Sequence, residues 1–148
     1  MTHEARVRGL GMSVNDRGPD TPVVMLEVDD RVVPIFISTD QAQSIQHALE
    51  HEPFERPLTH DLLVEMVGEF GSAVDRVRID GLADGTFLAK IDAEQYRDGE
   101  RRQLTFDARP SDAIAIALRV DCPIEVSESV VERAGRPAEE FDVQGEQD

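Results

Sequence analysis

Two runs rich in β-branched residues, VVMLEV at 23–28 and VVPIFI at 32–37, stand on either side of Asp29-Asp30-Arg31, and they constrain the fold more than any other feature. Such runs around a short polar turn read as an antiparallel hairpin. ARVRGLGMSV reads as a strand before it, followed by the turn-rich NDRGPDTP. Two further strands are expected at about 75–81 and 86–93, joined through Ala83-Asp84-Gly85. A polar excursion, EQYRDGERR, then leads to the strand QLTFDA, and IEV after Pro123 is a short last strand.

Helical patterns fall between these runs. Ser38-Thr39-Asp40-Gln41 is a capping box for a helix with Ala42, Ile45, Ala48 and Leu49 on one face, ending near His51 before Pro53. A second helix starts around Thr59, with Leu62, Leu63, Met66, Val67 and Phe70 as its buried stripe and Gly71 as its C-cap. A third follows DARPSDAIAIALRV, with Ser111 as N-cap and Asp112 in the first turn, and Ser127 caps a last one ending at Ala134-Gly135. Strands in hairpins and helices in a block give an α+β fold: one domain, a mixed or antiparallel sheet and about four helices. The domain is expected over 1–135. The remainder, RPAEEFDVQGEQD at 136–148, is acidic, sparse in apolar residues and expected to be disordered.

A chain of 148 residues is large enough to bury one core without staples. No run approaches a membrane span and the start lacks a signal-peptide core, so a cytoplasmic protein with no membrane partner is expected. Cys122 has no second cysteine to pair with and reads as a buried free thiol. The charge balance is unusual: 31 acidic residues against 15 basic ones, a net charge of −16, and Lys90 is the only lysine. With its regular apolar spacing the chain reads as a folded protein of a salt-loving cytoplasm, a halophilic archaeal type. At molar salt the Debye length is only about 3 Å, so this acidity neither supports nor excludes a polyanionic ligand.

No GxGxxG, P-loop or HExxH motif occurs. Two polar clusters at helix starts remain: Arg56-Pro57-Leu58-Thr59-His60-Asp61 and Arg109-Pro110-Ser111-Asp112. Each joins an Arg and a Pro to a hydroxyl cap and a first-turn carboxylate. A helix N-terminus with an adjacent Arg suits a phosphate, a His there can carry protons, and carboxylates there can hold Mg²⁺. Ordinary capping, with Arg109 bonded to a nearby carboxylate, accounts for the same residues.

The segments TPVVML, VPIFI, RPLTHDLL and ARPSDAIAIALRVDCPIEVSE, in this order and spacing, resemble the bifunctional nuclease domain family over roughly residues 5 to 135. The resemblance implies an α+β domain with nuclease activity on RNA and DNA, an activity attributed to plant members. It carries over Pro57, Thr59, His60 and Asp61 from one signature and Arg109, Pro110, Ser111 and Asp112 from the other. Two departures stand out. Gln41 occupies a position where the family usually has Glu, and Asp121-Cys122 replaces a small pair. In the hydrolytic reading Asp61 and Asp112 hold Mg²⁺ or Mn²⁺, His60 handles protons, Ser111 caps the helix, and Arg109 stabilises charge on the phosphate of a nucleic-acid substrate. This requires the two helix starts to adjoin in one polar pocket. The rival reading is a non-catalytic ligand-binding or scaffold module, in which these residues fix helix ends and a subunit interface of a homo-oligomer.

Two other groups bear weighing. His47 and His51, four apart, read as a metal pair or, more simply, as an exposed helix face. Tyr96, Arg97, Arg101 and Arg102 form the only basic concentration, read either as a clamp for single-stranded nucleic acid or as a solvated connection balanced by Asp98 and Glu100.

Overall fold

A computed structural model describes residues 1–13, 21–51 and 56–139. The turn expected over 15–20, Pro53 and the tail from 140 onward lie outside the described residues. Eight strands form one sheet: β1 (Thr2–Ser13), β2 (Thr21–Val28), β3 (Arg31–Phe36), β4 (Ser72–Ala83), β5 (Thr86–Arg97), β6 (Glu100–Ala108), β7 (Ile124–Ser127) and β8 (Arg136–Pro137). Four helices accompany them: α1 (Thr39–Glu50), α2 (Thr59–Glu69), α3 (Pro110–Val120) and α4 (Glu128–Ala134). The order across the sheet is β6-β5-β4-β7-β1-β2-β3-β8. Every neighbouring pair is antiparallel except β4 and β7, where Val77 lies opposite Ile124, so the sheet is mixed as the pattern of hairpins and helices implies.

β1 holds the two halves together: Thr2–Ala5 pair with β7 and the rest pairs with β2, with a register shift between Val7 and Gly9. The β2–β3 hairpin turns at Asp29-Asp30 as expected, with Asp29 in the left-handed region that an Asp tolerates in tight turns. Val24, Leu26, Val33 and Ile35 of this hairpin share one core with Ile45 of α1, Val77 and Ile79 of β4, Val126 of β7 and Val130 of α4. Through its middle sit Ala113, Ile114, Ala115 and Ala117 of α3. The run Ala113–Ala117 is buried without a break, so this part of α3 sits in the centre, and its alanines let α1 approach closely.

The middle strands are longer than their apolar patterns suggest. EQYRDGERR is not a loop. β5 continues to Arg97, the chain turns at Asp98 and Gly99, both at positive φ, and β6 starts at Glu100. The charged residues there alternate along a polar face of the sheet. Asp92 accepts hydrogen bonds from Arg76, Arg78 and Thr105, while Arg101 and Tyr96 both reach Glu94. The ordered domain also extends beyond 135, because Arg136-Pro137 pair with β3 and the Ala138 N–H donates to the Asp30 carbonyl.

One expectation about packing is overturned. The apolar stripe of α2 is not buried: no residue of α2 is, and Leu62, Leu63, Met66 and Phe70 are exposed, Phe70 by 68%. The 3.6-residue period marks which face is apolar but says nothing of what covers it. Among the described residues no helix is long and apolar enough to cross a membrane.

Candidate functional site

The two polar clusters do adjoin, through a contact that spacing alone does not reveal. His60, in the first turn of α2, places Nε2 2.8 Å from Asp112 Oδ1 in the first turn of α3, and its Nδ1 lies 2.6 Å from Ser44 Oγ on α1. Asp112 Oδ2 in turn accepts from Arg109 Nε at 2.8 Å. Burial pushes the Asp112 carboxyl up, but the hydrogen bonds from Arg109 and His60 outweigh it, and the group is held below the usual carboxylate range. Asp112 is therefore ionised and can only accept. Nε2 therefore donates to Asp112, and in a neutral ring Nδ1 accepts from the Ser44 hydroxyl. The result is a hydroxyl, an imidazole and a carboxylate in series, with the imidazole side chain 16% exposed. Such a series fixes a tautomer and can pass a proton along it.

Asp61 is not part of this cluster, which corrects the expectation of a single pocket for His60, Asp61, Arg109 and Asp112. Its Oδ2 accepts from the Leu58 N–H at 3.0 Å and its Oδ1 from Arg119 Nε at 2.7 Å. Burial raises the Asp61 carboxyl, the Arg119 and Leu58 hydrogen bonds lower it more, and it too ends below its ordinary value. Arg119, with its side chain 6% exposed, also donates to the carbonyls of Ala115 at 2.9 Å and Ser44 at 3.2 Å. Ser44 thus accepts from Arg119 on its carbonyl and turns its hydroxyl to His60 Nδ1. Polar contacts run without a break from Arg109 through Asp112, His60, Ser44 and Arg119 to Asp61, tying α1, α2 and α3 together.

Ser111 is not the N-cap of α3. Arg109 takes that position, with φ −73° and ψ 145° and no side-chain capping bond, and Pro110 is the first helical residue. A proline disfavours helical backbone in the residue before it, so the helix starts immediately after Arg109 and Ser111 falls inside the first turn, buried. Likewise Thr59 is the first residue within α2 rather than its cap, which is Leu58. α1 and α4 follow the expected chemistry: both halves of the Ser38–Gln41 capping box are formed, and Ser127 caps α4, its Oγ accepting from the Val130 N–H.

Two grooves open onto the ends of this series. Arg109 and Ser111 line one of about 600 Å³ with Gln41, Phe36, Phe87 and Asp107. Arg109 is 68% exposed, and its terminal nitrogens have no acceptor among the described residues. Asp61 and Arg119 line another of about 740 Å³, with His47 and His51 at its side. Both oxygens of Asp61 and both of Asp112 are engaged, and among the described residues no three His, Cys, Asp or Glu side chains converge as a metal site. The residues as arranged do not fit a divalent cation held by Asp61 and Asp112 together. Cys122 is half-buried, and burial pushes its thiol up to about 11, which disfavours the nucleophilic thiolate at neutral pH.

Sequence reasoning missed Ser44 and Arg119. Each left a faint signal: Ser44 is a hydroxyl on the apolar face that Ile45 and Ala48 define, and Arg119 is a lone charge within AIAIALRV.

Fold and contacts together define an α+β domain whose candidate site lies where the starts of α2 and α3 meet. Residues 23–139 match the Bifunctional nuclease domain, a span that takes in both helix starts, and the chain belongs to that family. It is 40% identical over 133 residues to an uncharacterized protein of Mycobacterium tuberculosis, covering 87% of this chain and 75% of that one. It is 28% identical over 123 residues to Bifunctional nuclease 2 of Oryza sativa subsp. japonica, covering 81% of this chain and 37% of the plant protein. Bifunctional nuclease 1 of Arabidopsis thaliana is 28% identical over 109 residues, 72% of this chain and 33% of its own length.

Proposed function

We propose that this chain is a nuclease hydrolysing phosphodiester bonds of RNA, DNA or both. The family supports the reaction class, and the observation that carries the reading is the contact of His60 with Asp112 beside the exposed Arg109. Arg109 uses only Nε on Asp112, so its two outer nitrogens are presented to the groove as a fork for phosphate oxygens. His60, aligned by Asp112 and Ser44, would take up or deliver the proton that hydrolysis requires through the ring nitrogen freed when one of these two contacts opens. Ser111 lines the groove from the first turn of α3. Metal assistance by Mg²⁺ or Mn²⁺ belongs to the proposal only if the Arg109–Asp112 or Arg119–Asp61 pair opens, and no step is derived through a metal. The same assay decides both points: purified protein in concentrated KCl should degrade single-stranded RNA or DNA, and arrest by EDTA would show that one of these pairs opens to hold a metal. Degradation that survives EDTA removes the metal, and inactivity on all substrates removes the nuclease.

A second reading is favoured by a specific observation. No described buried side-chain polar atom lacks a partner, and the series from Arg109 to Asp61 joins three helices. In that reading the motif residues hold a scaffold together. Under either reading we propose that the chain forms a homo-oligomer, because the apolar residues of α2 are uncovered in a single copy. A cytoplasm of high salt is likewise a proposal that rests on the charge balance alone.

A further inference from the structure

Resting on the proposed homo-oligomer, the geometry points to its interface: a second copy of this chain docks on the open edge of β6, strand against strand and antiparallel, with Leu104 of each copy on the two-fold axis. β6 is the last strand of the sheet. Its nine residues pair with β5 without a register shift, whereas the long pairs β1–β2 and β4–β5 are both broken by shifts. Strand edges in monomeric proteins are usually blunted by prolines, bulges or covering segments. β6 contains no proline and no bulge, and among the described residues its outer edge pairs with no strand.

The side chains beside that edge suit a second copy. Leu104 and Phe106, with Leu63, Val67 and Phe70 across from them, line an apolar groove of about 430 Å³. Phe106 is 52% exposed. On the other face of the strand, Arg101 bonds Glu94 and Asp107 bonds Lys90. Antiparallel self-pairing about Leu104 brings Arg101 opposite Asp107 of the partner subunit, twice by symmetry, with Gln103 opposite Thr105 of the partner subunit. Opposite charges facing each other favour an antiparallel pair, and like charges oppose it. An isologous interface needs such self-complementarity. In a chain of net charge −16, β6 also carries two adjacent arginines, Arg101 and Arg102, where repulsion between copies is least. A lipid or small apolar ligand would fill the groove but leave the strand edge and this charge register unexplained.

Mass measurement by light scattering in molar KCl, together with cross-linking, tests the proposal. Leu104→Cys should give a disulfide-linked dimer under mild oxidation, because the two copies of residue 104 face each other. Thr105→Cys and the wild type, which has only Cys122, should not. Arg101→Asp should weaken the dimer roughly tenfold, and Arg101→Asp combined with Asp107→Arg should restore it. Failure of that rescue, in a folded dimer that Leu104→Cys does not cross-link, overturns this interface while the homo-oligomer stands. A wild-type monomer at all concentrations in molar salt overturns both, as does a monomer whose groove takes up an apolar dye.

Discussion

Replacing Arg119 by Ala tests whether the inner end of the polar series is structural. The substitution removes three hydrogen bonds at once: 2.7 Å to Asp61, 2.9 Å to the Ala115 carbonyl and 3.2 Å to the Ser44 carbonyl. Breaking a buried ion pair from one side costs about 3–5 kcal/mol. Asp61 is a third exposed and can rehydrate, so the expected loss is about 2–4 kcal/mol. For a domain of this size that is a fall in Tm of roughly 5–15 °C. Urea unfolding of Arg119→Ala, Asp61→Asn and the double variant gives the coupling, and the double variant should lose less than the two single losses added. A loss under about 1 kcal/mol for Arg119→Ala, or strictly additive losses, would refute the claim that this pair ties α2 to α3.

The remaining predictions follow from charge and exposure. Asp61, Asp92 and Asp112 all sit below their ordinary values in the folded state. Their stabilisation is therefore fully present above the unfolded carboxylate value of about 3.9 and lost as pH falls through the folded ones, so urea midpoints should hold above about pH 5 and drop below about pH 4. Asp92→Asn should make that drop shallower, and an unchanged slope would show that Asp92 does not contribute. Tm should rise as KCl is raised from millimolar to molar, since 31 carboxylates repel one another least when screened; a flat or falling Tm removes the salt-adaptation reading. Arg109→Lys should keep stability but lose nuclease activity as fully as Arg109→Ala, because an ammonium lacks the two-pronged contact. Activity retained in Arg109→Lys would sink the phosphate fork.

What the sequence made legible was local. The Asp29-Asp30 turn, the Ser38–Gln41 box and the starts of α2 and α3 depend on residues within four positions of one another, and all appear in the fold. The contacts that build the candidate site span 16, 52 and 58 residues, as Ser44–His60, His60–Asp112 and Asp61–Arg119 do, and no periodicity encodes them. β5 and β6 were obscured for a different reason. Their polar face is laced with Arg101, Glu94 and Asp92, so a strand reads as a charged loop when apolar alternation is the signal. The stripe of α2 is apolar as its period predicts, but no described residue buries it, and periodicity carries no information about what covers a face.

The central claim is that His60, aligned by Asp112 and Ser44, serves phosphodiester hydrolysis. The most direct measurement is cleavage of labelled single-stranded RNA and DNA by wild type and His60→Ala in concentrated KCl, with circular dichroism to show that the variant is folded. Removing a general acid or base costs typically about 100-fold or more, so a folded His60→Ala protein should lose at least that factor against an active wild type. Equal cleavage by a folded His60→Ala protein would contradict the account.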